Sequence, residues 1–245
     1  YTAIERVAAP FCDRIICISE AERESALDKR ICTDSKLQVI FNGVDIEAYK
    51  QKKHRKINKA ALSIPTGAFV VGMVGRISSQ KAPDVFIRAA KLIKQEIPEA
   101  QFIIVGSGEM ENEVKEYAKE NELNDCLHIT GWVDDPLDYV ELFDVACLLS
   151  RWEGFGLVLP EYMMAGKPIV ASNVDAIPNI IRDGENGVLV DADNPQRVCD
   201  SVLKLYYQPQ LREKLVECGK KDVYLKFDIK RVASEHEKLF EEMEK

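Results

Sequence analysis

Apolar residues along most of this sequence fall into short runs, and the stretches between the runs carry apolar residues at helical spacing. Five runs are predicted as strands, at 69–74, 101–105, 145–149, 169–172 and 187–190. Amphipathic helices are predicted at 84–96, 110–120, 194–207, 210–220 and 227–244. Near-continuous apolar strands that alternate with such helices are typical of a parallel sheet covered on both faces. The expected fold class is therefore α/β, a Rossmann-like doubly wound parallel sheet flanked by helices.

The opening segment does not belong to this series. Two β-rich runs at 14–19 and 38–41 enclose a helical stretch at 20–29, and the second run ends in the turn-forming pair Asn42-Gly43. Beyond residue 47 the chain becomes polar and rich in lysine, so a boundary or hinge is expected near residue 48. A Rossmann-type domain cannot be built from 48 residues, and the sequence starts without Met in a helix-like stretch. We therefore expect a fragment whose opening segment is either the tail of another domain or an appendage.

Composition narrows the classes of function. With 46% apolar residues the chain can bury a substantial core, which argues against disorder. The 41 acidic against 33 basic side chains give a formal net charge of −8, whereas non-specific nucleic-acid binding needs a basic surface. The seven cysteines form no CxxC pair and are expected to be reduced thiols of a cytoplasmic protein. No apolar run approaches the roughly 18 residues of a membrane span.

Candidate binding residues follow the predicted strands, because doubly wound sheets bind ligands at the carboxyl ends of their strands. Gly75 and Arg76 follow the first strand of the sheet, and Lys81 comes shortly after them. A planar guanidinium and an ammonium at one end of a crevice suit a diphosphate, although the same pair can be two solvated surface cations. Gly106 follows the next strand, where Glu111 breaks the GxGxxG pattern of an NAD site. Its loop serves either close approach of a ligand or a tight turn.

Two acidic residues flank a glycine-containing turn after the strand at 145–149. Glu153 precedes the turn, and Glu161 lies in the first turns of a helix expected to begin near residue 158. Free amides at that helix start are suited to an anion, and both acids can accept hydrogen bonds from ligand hydroxyls in the same crevice. The alternatives are a favourable charge near a helix N-terminus for Glu161 and a solvated loop acid for Glu153.

No metal site is expected. The sequence Asp191-Ala192-Asp193 mimics a metal-binding DxD signature, but it follows a strand and precedes Asn194-Pro195, so we interpret it as a helix-capping loop. The histidines at 54, 128 and 236 are too dispersed for a zinc site or a catalytic triad, and His128 is expected to be structural.

Taken in order, these motifs resemble those of the large retaining glycosyltransferase family 4, which has the GT-B fold. The resemblance rests on Asn42-Gly43-Val44-Asp45, Val74-Gly75-Arg76 with Lys81, Val105-Gly106-Ser107-Gly108, Gly131-Trp132-Val133, Glu153 and Glu161 around Gly154-Phe155-Gly156, and the run from Ala165 to Ala171. Members have two Rossmann-like domains with the active site between them, and the second domain holds a nucleotide-sugar donor. The resemblance implies that residues 1–48 end the acceptor domain and that 49–228 form the donor domain. It also implies a helix at 229–245 that crosses back to the first domain, where ordinary packing on its own domain is the alternative.

The resemblance further implies a role for each site residue. Arg76 and Lys81, beside Gly75, would bind the donor diphosphate and act in catalysis together with Glu153, which would bind hydroxyls of the transferred sugar. Glu161 would accept hydrogen bonds from the ribose hydroxyls. The glycine turn would place the amides of Phe155, Gly156 and Leu157, next to Gly154, near the sugar and the distal phosphate, and Gly106, Trp132 and Val133 would border the base.

The expected function is that of a retaining hexosyltransferase of polysaccharide biosynthesis. It would move a hexose from a nucleotide-sugar to a saccharide or lipid-linked acceptor, without metal or cofactor and without a nucleic-acid partner. Family frequency gives UDP-sugars a slight preference over GDP- and ADP-sugars. The resemblance also implies a cytoplasmic protein with peripheral membrane association through the rest of its first domain. A GT-B sugar-nucleotide epimerase and a non-catalytic nucleotide-binding module are the alternatives, and the full set of site residues disfavours the second.

Overall fold

The computed structural model describes residues 2–52 and 57–244. Within these ranges the strands are β1 (Ile15–Cys17), β2 (Leu37–Val39), β3 (Val70–Val74), β4 (Gln101–Val105), β5 (Leu127–Ile129), β6 (Val145–Leu148), β7 (Ile169–Ser172) and β8 (Val188–Val190). The α-helices are α1 (Thr2–Ala8), α2 (Glu20–Asp28), α3 (Ile46–Gln51), α4 (Pro83–Glu96), α5 (Glu111–Glu120), α6 (Leu137–Val140), α7 (Val158–Met164), α8 (Ile177–Ile180), α9 (Pro195–Tyr207), α10 (Pro209–Lys226) and α11 (Ile229–Met243). No helix in the described ranges is both long enough and apolar enough to span a bilayer.

The central sheet has six parallel strands in the order β5-β4-β3-β6-β7-β8. The chain builds outward from β3 in one direction and then returns to build outward from β6 in the other, so the strand order reverses between these two neighbours. In open α/β sheets ligands bind outside the carboxyl ends of the strands at such a reversal. The predicted doubly wound α/β fold is confirmed, and its crevice lies between the loops that follow β3 and β6.

Both faces of the sheet are buried, which explains why its strands are continuous apolar runs. Along β3, Val71 and Met73 point into a core with α4, α5 and α9, whereas Val70 and Val74 point into a second core with α7 and α8. All five residues of β3 are buried, as are all five of β4. The loops at the strand ends are therefore carried on a rigid platform.

The opening segment forms its own parallel pair, β1 with β2, over a small cluster made by Cys17, Ala26 and Leu37. It meets the six-stranded unit where Val44 lies beside the start of α11: the Val44 N–H donates to the Phe227 carbonyl at 2.8 Å. Helix α11 buries Val232 and Leu239 against Ile40 of the opening segment. The division of the chain into an acceptor-domain tail, a donor domain and a crossing helix stays a prediction.

Two helices differ by two residues or more from their predicted bounds. The boundary or hinge expected near residue 48 falls within α3 and stays a prediction. Helix α10 continues to Lys226 rather than to residue 220 because Val223, in its last turns, is buried in the core. The last helix begins at Ile229, not at 227, because Phe227 terminates α10 and fills the core with its ring.

Candidate active site

Lys81 and Glu153 meet across the reversal point of the sheet. Lys81 ends a short 3-10 turn (Ser79–Lys81) after β3, and its side chain runs over Gly75, where an added Cβ would lie 3.5 Å from Lys81 Cγ. Its ammonium forms an ion pair with Oε2 of Glu153, which belongs to the loop after β6. The side chains are 18% and 10% exposed, so the pair is shielded from solvent. Two residues chosen from separate motifs are therefore joined at the predicted crevice.

Glu153 is held from several directions. Ser150 Oγ donates a hydrogen bond of 3.0 Å to the same Oε2 atom that contacts Lys81. The Glu153 N–H donates to Oδ2 of Asp175 at 2.9 Å, and its carbonyl accepts from the Ala176 N–H at 3.3 Å. The whole residue is only 8% exposed, so Glu153 is not a solvated loop acid.

Arg76 differs from Lys81 in its surroundings. It is exposed, and its guanidinium makes no hydrogen bond or ion pair with any part of the chain that the structure describes. The two predicted diphosphate ligands are thus one cation that is already paired and one that is open to solvent. Their common role in diphosphate binding stays a prediction.

Arg151 is a residue that the sequence analysis missed. Its Nε donates to Asp193 Oδ1 at 2.7 Å, Nη1 to the Ser79 carbonyl at 2.7 Å and Nη2 to Asp84 Oδ2 at 2.8 Å. The hydrogen bond to Asp84 raises the pKa of the Arg151 guanidinium, and the contact with Asp193 adds to this. The only signal in the sequence was its place two residues before Glu153 in a strand-end loop.

Glu161 faces a separate cavity. A space of about 350 Å³ lies between α7 and the start of α3, and Glu161 lines it together with Gly43, Leu137 and Leu157. Burial raises the pKa of Glu161 from 4.5 to about 7. The structure therefore places the two predicted acids of the site in different pockets, since Glu153 lines a cavity of about 250 Å³ beside Trp152.

The loop after β5 carries the predicted base-binding residues. Gly131 forms an isolated antiparallel bridge with Gly106, which brings this loop against the loop after β4. Trp132, 75% exposed, and the half-buried Val133 line a cavity of about 740 Å³ that also contacts Leu62. This geometry joins the two regions from which a base-binding pocket was predicted, and the assignment to a base stays a prediction.

Gly106 is required by the packing of neighbouring loops. Its φ is +140°, and a Cβ at this position would lie 2.1 Å from the carbonyl oxygen of Gly75. The loops after β3 and β4 can touch only if the residue has no side chain. A tight turn is thus a sufficient reason for this glycine, and a contact of Gly106 with a ligand stays a prediction.

The ring of Phe155 packs in the core, whereas its backbone N–H donates no hydrogen bond within the described ranges. The ring is buried, with its centroid 6.1 Å from that of Phe41 and 6.0 Å from that of Phe227. Within the described ranges, the amides of Phe155, Gly156 and Leu157 donate no hydrogen bond. Gly154 precedes them beside the cavity that Glu153 lines. The aromatic contacts fix the turn and leave these amides unused.

The predicted capping loop is corrected by one residue. The side chain of Asn194, not of Asp191 or Asp193, caps α9 by accepting from the Arg197 N–H at 3.1 Å. Asp193 instead pairs with Arg151. In the described part of the chain no three His, Cys, Asp or Glu residues group so as to hold a metal ion.

The histidines occupy structural positions or lie outside the described residues. His128 in β5 shares a hydrogen bond of 2.9 Å with Oε1 of Gln101, and burial lowers its pKa. The His236 ring lies 2.8 Å from the Val232 carbonyl, within α11. His54 lies outside the described residues.

Sequence comparison finds glycosyltransferases among the relatives of this chain. Residues 54–222 match the profile of a family described as glycosyl transferases group 1. The Escherichia coli UDP-Gal:alpha-D-GlcNAc-diphosphoundecaprenol alpha-1,3-galactosyltransferase is 30% identical over 209 residues, which cover 84% of this chain and 54% of that protein. The D-inositol 3-phosphate glycosyltransferase of Thermobifida fusca is 28% identical over 218 residues, or 84% and 50% of the two chains. The chain thus spans about half the length of the curated relatives it matches.

Solved structures share the fold. Anabaena Alr3699/HepE in complex with UDP and glucose superposes with a TM-score of 0.88 at 22% identity, covering 98% of this chain and 67% of that one. The C-terminal domain of a group 1 family glycosyl transferase from Francisella tularensis, LpcC, superposes with a TM-score of 0.67 at 27% identity. That alignment covers 76% of this chain and 100% of the other.

Proposed function

The chain belongs to the group 1 glycosyl transferases, and from this premise we propose that it carries the donor-binding half of a retaining hexosyltransferase. The substrate is a nucleotide-sugar, and the hexose passes to a saccharide or lipid-linked acceptor. The observation that carries the proposal is the shielded Lys81–Glu153 ion pair at the reversal point of the sheet. A cation for a diphosphate and an acceptor for sugar hydroxyls lie side by side where such a fold binds ligands.

Charge development during transfer accounts for the cations. When the bond between the sugar and the diphosphate breaks, negative charge grows on the leaving group and positive charge on the sugar. Lys81 and the exposed Arg76 stabilise the first, because fixed cations act most strongly where charge develops. The unused amides of Phe155, Gly156 and Leu157 add hydrogen-bond donors near the distal phosphate. In this scheme the configuration is retained because the acceptor attacks from the face that the diphosphate leaves, with that group assisting.

The two carboxylates recognise hydroxyl groups. Glu153 Oε2 takes the contacts with Lys81 and Ser150, whereas no hydrogen bond reaches Oε1 within the described chain. Oε1 is thus available for hydroxyls of the transferred sugar. Glu161 accepts from the ribose hydroxyls, and the loops that carry Gly106, Trp132 and Val133 border the base.

The nature of the donor and the acceptor is supported by the relatives. The E. coli relative is named for a UDP-Gal donor and for an acceptor that contains diphosphoundecaprenol, and the Anabaena protein was solved with UDP and glucose. We therefore favour a UDP-hexose over GDP- and ADP-sugars and a lipid-linked or saccharide acceptor of polysaccharide biosynthesis. The proposal includes no metal and no cofactor, and it places the full-length protein in the cytoplasm, in peripheral contact with the membrane.

A ligand panel tests the proposal. Melting temperatures are measured with UDP-, GDP- and ADP-sugars and with the bare diphosphates, with Lys81→Ala as the matched control variant. A ligand at 100-fold over its Kd adds about 2.7 kcal/mol, which corresponds to a shift of about 5–10 °C for a chain of this size. We expect such a shift with UDP-sugars and a smaller one in Lys81→Ala. A folded chain that responds to none of the nucleotides contradicts the proposal.

Turnover separates an enzyme from a binding module. Release of UDP from UDP-hexose is measured on the full-length protein, with and without simple saccharide acceptors, and the sugar products are analysed for a change of configuration. Acceptor-dependent release of UDP supports hexosyl transfer. An altered sugar still attached to UDP indicates an epimerase, and binding without any turnover favours the non-catalytic module.

A further inference from the structure

We propose that Arg151 is a positioning residue. It holds Lys81 in the place where Lys81 can bind the donor diphosphate, and Arg151 itself does not contact the donor. The inference rests on the proposed function, because it gives Arg151 a role only through the diphosphate-binding role of Lys81. It goes beyond that function by assigning a task to a residue that carries none of the predicted donor contacts.

The guanidinium of Arg151 joins three segments at the carboxyl edge of the sheet. Nη1 binds the Ser79 carbonyl in the turn that carries Lys81, Nη2 binds Asp84 in the first turn of α4, and Nε binds Asp193 in the loop before α9. The three distances lie between 2.7 and 2.8 Å. A planar fork of donors has a fixed geometry, so three simultaneous contacts fix these segments relative to one another.

Further hydrogen bonds join the loop of Arg151 to the turn that carries Lys81. The Arg151 N–H donates to the Gln80 carbonyl at 2.8 Å, and Gln80 Nε2 donates to the Trp152 carbonyl at 3.0 Å. The segments 79–81 and 151–153 therefore face each other residue by residue, and this pairing ends in the contact between Lys81 and Glu153. The position of the Lys81 ammonium depends on the contacts that Arg151 makes two residues earlier.

The turn that carries Lys81 needs such support. Ala82, the next residue, has φ +49° and ψ 53°, a left-handed conformation that is unfavourable for a residue with a side chain. Ala82 is fully buried and begins α4 without a side-chain cap. Conformations of this kind persist only where the surrounding structure holds them. Arg151 binds Ser79 before this residue and Asp84 after it, so its contacts bracket the strained position.

The charge of Arg151 is already matched by protein groups. Its side chain is 24% exposed and pairs with the carboxylates of Asp84 and Asp193. Arg76, by contrast, is exposed and makes no such pair within the described ranges. Three of the five N–H donors of Arg151 are engaged and two carboxylates balance its charge, so we assign its contribution to diphosphate binding to the turn that it holds.

A double-mutant cycle tests this role. The Kd for UDP is measured by calorimetry on the wild-type chain, Arg151→Gln, Lys81→Ala and the double variant, with circular dichroism to confirm folding. We expect Arg151→Gln to weaken UDP binding about tenfold in the wild-type background and by less than about twofold in the Lys81→Ala background. A residue that only stabilises the fold would not lose its effect when Lys81 is removed.

Two further variants complete the experiment. Arg182→Gln is the matched control, because Arg182 also bridges two carboxylates, Glu185 and Asp222, and lines none of the cavities described above. We expect it to leave the Kd within about twofold. If Arg151→Gln does not fold, Asp193→Asn takes its place in the cycle, since it removes the negative charge of only one partner of Arg151, and that partner is exposed.

The outcomes distinguish a failure of the role of Arg151 from a failure of the proposed function. Equal losses in the wild-type and Lys81→Ala backgrounds, or no loss at all, overturn the role of Arg151 and leave the proposed function standing. A folded wild-type chain that binds no nucleoside diphosphate overturns the proposed function and the role of Arg151 with it.

Discussion

Replacing Glu161 with glutamine should stabilise the ligand-free protein at alkaline pH and weaken its binding of ribose-containing ligands. Glu161 lines an open cavity, and the burial of its carboxyl group raises the pKa to about 7 without an opposing cation among its causes. Glutamine has nearly the same shape and no charge. The substitution therefore removes the cost of ionising this buried position.

The size of the effect follows from the two pKa values. In the unfolded chain the carboxyl group loses its proton near 4.5, whereas in the folded protein it does so near 7. Between these values the folded state binds more protons, so the free energy of unfolding falls as the pH rises, and above 7 the loss is complete. At about 1.4 kcal/mol per pH unit this difference gives about 3.5 kcal/mol, and residual contact of the carboxyl group with water reduces the expected loss to about 2–3 kcal/mol.

Urea denaturation at pH values from 5 to 8 measures this difference. We expect Glu161→Gln to exceed the wild type by less than about 1 kcal/mol at pH 5 and by about 2–3 kcal/mol at pH 8. Glu217→Gln on the exposed surface of α10 makes the same chemical change at a solvated position, and it should show no such rise. A difference between Glu161→Gln and wild type that does not change with pH would refute the reasoning.

Ligand binding tests the ribose contact proposed for Glu161, the diphosphate contacts proposed for Lys81 and Arg76, and the sugar contact proposed for Glu153. Glu161→Gln should weaken UDP binding and leave pyrophosphate binding intact, and equal losses for the two ligands would contradict a ribose contact. Lys81→Ala and Arg76→Ala should each weaken UDP binding by about 1.5–3 kcal/mol in calorimetry, and unchanged affinity in both would remove the diphosphate assignment. Glu153→Gln frees Lys81 from its carboxylate partner, so we expect UDP to bind at least as tightly as in wild type and UDP-hexose to bind more weakly. An equal loss for UDP and UDP-hexose would contradict the sugar-binding role of Glu153.

The sequence predicted the strands that are buried on both faces of the sheet. Strands β3, β4, β6 and β7 were predicted to within one residue, because burial on both faces requires a continuous apolar run. Strand β5 was missed, since it is three half-buried residues at an edge of the sheet. The four-residue helices α6 and α8 are too short to produce a periodic pattern.

Local sequence patterns could not predict which side chains of the site contact one another. Glu153 was recognised as a candidate, but its partner Lys81 lies 72 residues away, and only the fold reveals that the two side chains meet. Arg151 was missed for the same reason, because its carboxylate partners lie 67 and 42 residues distant. The raised pKa of Glu161 depends on a cavity that several elements build together, and no spacing of residues encodes it.

The place where the chain enters the six-stranded unit adjoins the place where it leaves. Val44 accepts from the Ile229 N–H at 3.1 Å, and a Cβ on Gly43 would lie 2.9 Å from Ile229 Cα. A unit whose two ends adjoin can be inserted into another chain without displacing the ends of its host. The stretch between Gly43 and Asp228 thus carries both partners of the Lys81–Glu153 ion pair between adjoining ends and can be exchanged as one unit, but the opening segment supplies Ser19 and Glu22 to the cavity beside Glu153 and must fit any unit that replaces it.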